Sequence, residues 1–113
     1  METKKMLKEI LSKVQKIYQQ IYGKNLIKVV LYGSYARGDY DQDSDIDVVG
    51  IVNGERLSLQ RSETKVWDLI SDIVFEYNIL ISAGVIPLKE FTDYIDALPY
   101  YKNIEKEGVV LNA

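Results

Sequence analysis

Two aspartates, Asp45 and Asp47, flank Ile46 in the run DIDVVGIV. In an extended segment alternate side chains share a face, so both carboxylates project together while Ile46 and Val48 turn the other way, toward a core. Two carboxylates aimed at one point repel each other unless a cation lies between them. Hard oxygen donors of this kind suit Mg²⁺, with Mn²⁺ as an alternative, because Mg²⁺ is held by one or two carboxylates together with phosphate oxygens and water. Upstream, Gly33 and Ser34 sit where an apolar run ends. Glycine lets a backbone approach a ligand closely, the N–H groups of such a bend form an anion-binding nest, and the serine hydroxyl adds a donor. Arg37 supplies a planar cationic fork for phosphate oxygens. The chemistry these residues suit is the binding of a metal triphosphate and an in-line attack at phosphorus, with Gly33, Ser34 and Arg37 on phosphate and Asp45 and Asp47 as metal ligands and catalytic groups.

Holding those groups together requires two strands and the helices that cover them. Leu26 to Tyr32 (LIKVVLY) is a short β-branched apolar run that reads as a buried strand, and Asp45 to Val52 reads as a second strand closed by Asn53-Gly54. Gly33 to Ser44 between them is rich in Gly, Ser, Arg and Asp and reads as a turn. Ahead of the first strand, Leu7, Ile10, Leu11, Val14, Ile17, Tyr18 and Ile21 recur at helical spacing over residues 3–22, with Gly23 as the stop. A second helix is expected from Ser58 or Ser62 to Glu76, a third strand from Ile79 to Ile86, and short helices over Leu88–Ile95 and Pro99–Glu107. Gly108 to Leu111 is a candidate edge strand. The expected class is α/β (α+β), a small mixed sheet with helices packed on it in the order α-β-β-α-β-α. A direct β-β connection is incompatible with a doubly wound parallel sheet.

At 113 residues the chain suits one domain, 1–113, with one core and little space for a large private pocket. The formal charge of −3 and a pI near 4.9 argue against a dedicated nucleic-acid binder, which usually carries a basic surface. Cys and His are both absent, which removes disulfides, zinc centres, thiol nucleophiles and imidazole acid–base chemistry together. No run approaches the roughly 18 apolar residues of a membrane span, and the charged start METKK leads into no signal-peptide core, so the chain reads as cytoplasmic.

Simpler explanations exist for each feature. Five aspartates between Asp39 and Asp47 would suit a solvated acidic loop, but Asp45 and Asp47 alternate with core residues. Asp41, Asp43 and Asp45 have the spacing of a calcium loop, but the glycine and glutamate such a loop needs are replaced by Ile46 and Val52. Arg37 could serve only in a surface ion pair, although such pairs contribute about 0–1 kcal/mol. Trp67 and most tyrosines read as core or interface, while Tyr94, Tyr100 and Tyr101 near Pro99 form a candidate partner-facing patch.

Gly33-Ser34 followed after ten residues by Asp45-x-Asp47 resembles the signature of the DNA polymerase beta-like nucleotidyltransferase superfamily. The fuller string GSYARG…SDID is similar to its minimal members, the MNT proteins often encoded beside HEPN-domain ribonucleases. The resemblance implies phosphate binding by Gly33 and Ser34, metal binding by Asp45 and Asp47, and assistance from Arg37. It also implies a third carboxylate on the next strand as metal ligand and general base. That strand contains no Asp or Glu; Glu76 could supply a third ligand if the strand begins early, and Ser82 or Asn78 are the other candidates for the slot.

The expected function is Mg²⁺-dependent transfer of AMP, or another nucleoside monophosphate, from ATP or another triphosphate to a hydroxyl. So small a domain offers hardly any wall for an acceptor, so the acceptor is expected on another protein; the MNT resemblance points to a HEPN toxin, with this chain as antitoxin. A catalytically weak or inactive nucleotide-binding antitoxin acting by occlusion is the alternative. A homodimer whose neighbour completes a small-molecule pocket is a third reading. Neither a membrane nor nucleic acid is expected as a partner.

Overall fold

The structure, a computed structural model, describes residues 3–111. Helix α1 (Thr3–Tyr22) leads through a 3-10 turn, Gly23–Asn25, into strand β1 (Leu26–Tyr32). A one-turn helix, α2 (Ser34–Arg37), follows at once, then strand β2 (Ile46–Val52), helix α3 (Arg56–Tyr77) and strand β3 (Ile81–Pro87). Helices α4 (Leu88–Tyr94) and α5 (Pro99–Glu107) and the short strand β4 (Val109–Leu111) complete the described chain. The strands form a four-stranded mixed sheet ordered β3-β2-β1-β4, with β1 antiparallel to both β2 and β4, and β2 parallel to β3. The mixed sheet agrees with the sequence reading. So do the two short helices α4 and α5 and the β4 edge; the one-turn helix α2 is the element that was read as a turn. Asp45 also falls one residue outside β2, at its entry, where Ile46 N–H donates to Leu80 O at 3.0 Å.

Both faces of the sheet are covered, which corrects the expectation of a single core. On one face Ile46, Val48 and Val52 of β2 pack with Val29 and Leu31 of β1 beneath α1 and α3. On the other, Val49 and Ile51 pack with Val30, Ile86, Phe91, Tyr101 and Ile104 beneath α4 and α5. The alternation along β2 therefore runs between two cores, and Asp47 occupies the second parity at the strand's open end. This pins the register. A one-residue slip would drive Asp45 and Asp47 toward the first core and expose Ile46 and Val48, both fully buried, forfeiting roughly 1.5–3 kcal/mol for each apolar side chain.

Side chains from the helices also hold the sheet. Tyr18 of α1 is fully buried, lies against Gly50 and donates from its hydroxyl to Gly84 O at 2.8 Å; a Cβ at Gly50 would stand 2.6 Å from the Tyr18 ring. Along the outer edge of β3, the Trp67 indole N–H donates to Ala83 O at 2.8 Å and Glu63 accepts from Val85 N–H at 3.1 Å. Both contacts occupy ladder groups that an edge strand would otherwise present to another chain. Among the described residues no helix is long and apolar enough to cross a membrane.

Candidate active site

Strand β1 ends at Tyr32, and Gly33 turns the chain into α2 with φ +75° and ψ −156°, a region essentially restricted to glycine. The reason for glycine is also spatial. A Cβ here would overlap the Asp47 carboxylate, so the bend and the acid lie in contact. Ser34 opens α2, whose first backbone bonds run from Ala36 and Arg37 N–H to Gly33 O at 3.1 Å. Replacing Gly33 with Ala should lower stability by roughly 2 kcal/mol or more through backbone strain and the collision with Asp47, and chemical denaturation measures it directly.

Asp47 is half-buried and Asp45 exposed. Burial, and then the neighbouring charge of Asp45, push the Asp47 carboxyl above the ordinary carboxylate value, while Arg37 pulls it back. The two acids therefore feel each other's charge. A cation fits this donor set: two hard carboxylate oxygens, one of them desolvated, gain from a positive charge that the protein supplies only in part through Arg37. Arg37 is at present engaged elsewhere, its Nε on Asp39 Oδ2 at 3.2 Å and its Nη1 on Glu107 Oε2 at 3.3 Å. The surface-pair reading thus describes its contacts, and its field still reaches Asp47.

The third carboxylate does not materialise. Among the described residues no group of three His, Cys, Asp or Glu side chains is gathered for a metal. Glu76, the candidate third ligand, belongs to α3 and pairs with Lys13 of α1 at 3.0 Å. It would reach the site only if β3 began early, and β3 begins at Ile81. Glu90 is held bidentately by Arg56, with contacts of 2.6 and 3.0 Å. Asn78 caps α3 rather than joining the strand. Ser82 is the residue in parallel register with Asp47, and its exposed hydroxyl shares the face of that carboxylate.

Tyr32 was not singled out from sequence, yet it pairs directly with Asp47 across the β1–β2 ladder. Its hydroxyl meets that of Tyr100 at 3.0 Å; burial foremost, then Tyr100 and the charge of Asp47, push its phenol well above the ordinary value. Hairpin alternation from Gly33 would have predicted the pairing had the β1–β2 register been known. Of the expected aromatic patch, Tyr94 and Tyr100 are half-exposed and Tyr101 is buried.

A four-stranded mixed sheet with helices on both faces, and a glycine–serine bend packed against Asp47, is the arrangement expected of a nucleotidyltransferase domain. The chain belongs to that family: its nucleotidyltransferase domain model matches residues 7–111. Two similar proteins of Methanocaldococcus jannaschii are provisionally named protein adenylyltransferases. One is 34% identical over 93 residues, covering 82% of this chain and 92% of the relative; the other is 32% identical over 113 residues, covering 98% and 99%. Among solved structures, a provisionally named nucleotidyltransferase from Sulfolobus solfataricus superposes with a TM-score of 0.58 at 21% identity, covering 94% of this chain and 82% of that one. A toxin–antitoxin structure with AMP-PNP gives 0.55 at 15% identity, covering 91% and 73%. At such identities the structural likenesses carry the fold.

Proposed function

We propose that this chain transfers AMP from ATP to a tyrosine hydroxyl of a partner protein, a HEPN-type ribonuclease toxin, and acts as its antitoxin. The observation that supports the reading is the close approach of the Gly33 bend to Asp47, beside Asp45, where a phosphate tail and a divalent cation would share one place. Asp45 and Asp47 would hold Mg²⁺, whose charge, when bound, neutralises phosphate oxygens. Ser34 and the bend would bind the tail, and Arg37 would exchange Asp39 and Glu107 for phosphate. The phenol oxygen forms the new bond to the α-phosphorus, the bond to pyrophosphate breaks, and the phenol proton passes to solvent.

The acceptor class follows from what the site lacks. Among the described residues no third carboxylate is gathered with the pair as a base, and a phenol, with a pKa near 10, needs less help to ionise than an alkyl hydroxyl. Asp45, Arg37 and Ser82 are exposed, so a partner surface can approach them. The names of the Methanocaldococcus relatives and the toxin–antitoxin pair with AMP-PNP support the same reading, and the likeness of GSYARG…SDID to the MNT group supports a HEPN partner. Incubation with labelled ATP, Mg²⁺ and the product of the adjacent gene should place label on that product. No label on it would sink the transfer reading. The same missing carboxylate favours a second reading, a nucleotide-binding antitoxin that works by occlusion.

A further inference from the structure

The face of the sheet that carries Asp47 also carries a tyrosine pair. Tyr32 stands directly opposite Asp47 in the β1–β2 ladder, so the two side chains leave the same face with their Cβ atoms about 4.5–5.5 Å apart. Tyr32 packs on the second core beneath α5, and its hydroxyl meets that of Tyr100 at 3.0 Å, with ring centroids 5.7 Å apart and planes 74° from parallel. Gly33 follows Tyr32 directly. The Tyr100 oxygen therefore lies one tyrosine side chain away from both the bend and the acid.

Tyr100 is held by its backbone and free at its tip. Pro99 opens α5, and Lys102 N–H donates to Leu98 O at 3.0 Å, so the first turn is fixed. The next residue, Tyr101, is buried against Phe91, with ring centroids 5.5 Å apart. Tyr100 itself is 47% exposed, and a change of side-chain rotamer swings its hydroxyl while α5 stays in place. The other tyrosines lack this combination. Tyr18, Tyr22 and Tyr101 are buried, Tyr35 and Tyr77 pack on the first core with Tyr40 stacked on Tyr35, and Tyr32 is partly buried under α5. Tyr94 is half-exposed, but among the described residues no hydrogen bond or ring contact joins it to Tyr32 or Tyr100.

We propose that the site also modifies its own chain, passing AMP from ATP to the Tyr100 hydroxyl of the same molecule. The proposal rests on the transfer reading and adds a second acceptor to it. Tyr100 Oη forms a bond to the α-phosphorus, and the bond from that phosphorus to pyrophosphate breaks. Pyrophosphate leaves with the bonding electrons, and the phenol proton passes to solvent. The acceptor is again a phenol, so the step needs no base that the partner reaction does not. Incubation of the chain alone with labelled ATP and Mg²⁺, followed by mass mapping of its peptides, tests it. Label should appear on Tyr100, and the fraction modified per unit time should not change when the chain is diluted, as for any intramolecular step. Tyr100→Phe, which keeps the ring, should melt close to the parent and take up no label, while Tyr94→Phe should label as the parent does. Label on other residues with Tyr100 bare, uptake by Tyr100→Phe equal to that of the parent, or labelling that slows in proportion to dilution overturns the self-modification. A parent chain that labels its partner protein but not itself overturns it as well and leaves transfer standing. Label on neither protein removes the transfer reading together with it.

Discussion

The Asp45→Asn, Asp47→Asn double variant should lose transfer of AMP by about 10³-fold or more while its unliganded fold becomes more stable at neutral pH. The loss would follow from removing the charge proposed to hold the cation, whose stabilisation of phosphoryl transfer would amount to several kcal/mol, each ~1.4 kcal/mol being tenfold in rate. The gain follows from Asp47, whose carboxyl lies above its ordinary value of 3.8 through burial and the neighbouring Asp45. A group raised on folding favours the native state only while protonated in it. Its ionised form therefore weighs against the fold above the folded value, and that penalty vanishes once the pH is below the unfolded value. The advantage of the Asn variant should accordingly be present at pH 7 and fade on acidification through the carboxylate range. Thermal melts across pH read this out. Added Mg²⁺ should raise the melting temperature of the parent chain and leave the variant unmoved. In cells, an occluding antitoxin would still protect after the substitution, whereas a transferase would not. Full transfer by the variant would remove the carboxylate pair from the mechanism.

Ser82→Asp is the complementary experiment, and it should raise transfer by roughly 10²-fold, the range a positioned general base contributes. Ser82 stands in parallel register with Asp47 on the neighbouring strand, about 4.8 Å away in the ladder direction, and is exposed, so a carboxylate there needs no new cavity. Three acids would then face one place. The variant should melt lower than the parent without metal and recover when Mg²⁺ is added, since like charges repel until a cation joins them. Single-turnover measurement with labelled ATP and the partner protein separates the rate gain from tighter binding. An unchanged rate together with unchanged Mg²⁺ affinity would show that this strand position does not face the metal.

The elements with strong periodicity were legible. Helix α1 was expected over 3–22 and is observed at Thr3–Tyr22, and the alternation expected along the second strand holds for Asp47, which lies between the fully buried Ile46 and Val48, while Asp45 falls just before the strand. Helix α2 was not legible: four residues make one turn, too short for any period to show, and its conformation depends on Gly33 meeting Asp47 from another strand. The parallel pairing of β2 with β3 is likewise set by packing of α3 rather than by local residues, which is why Ser82 and Asn78 were equal candidates for the slot beside Asp47 and only the register separates them. Glu76 was a candidate because distance along the chain stood in for distance in space. Its ion pair with Lys13 places it against α1.

Trp67 has a practical consequence. It is the single tryptophan of the chain, and its indole is half-exposed and hydrogen-bonded to Ala83, the neighbour of Ser82 on the strand beside the acidic pair. The molecule thus carries its own fluorophore on α3, hydrogen-bonded to the very strand that would adjust when a ligand settles, and its emission offers a label-free way to follow loading of the site in real time.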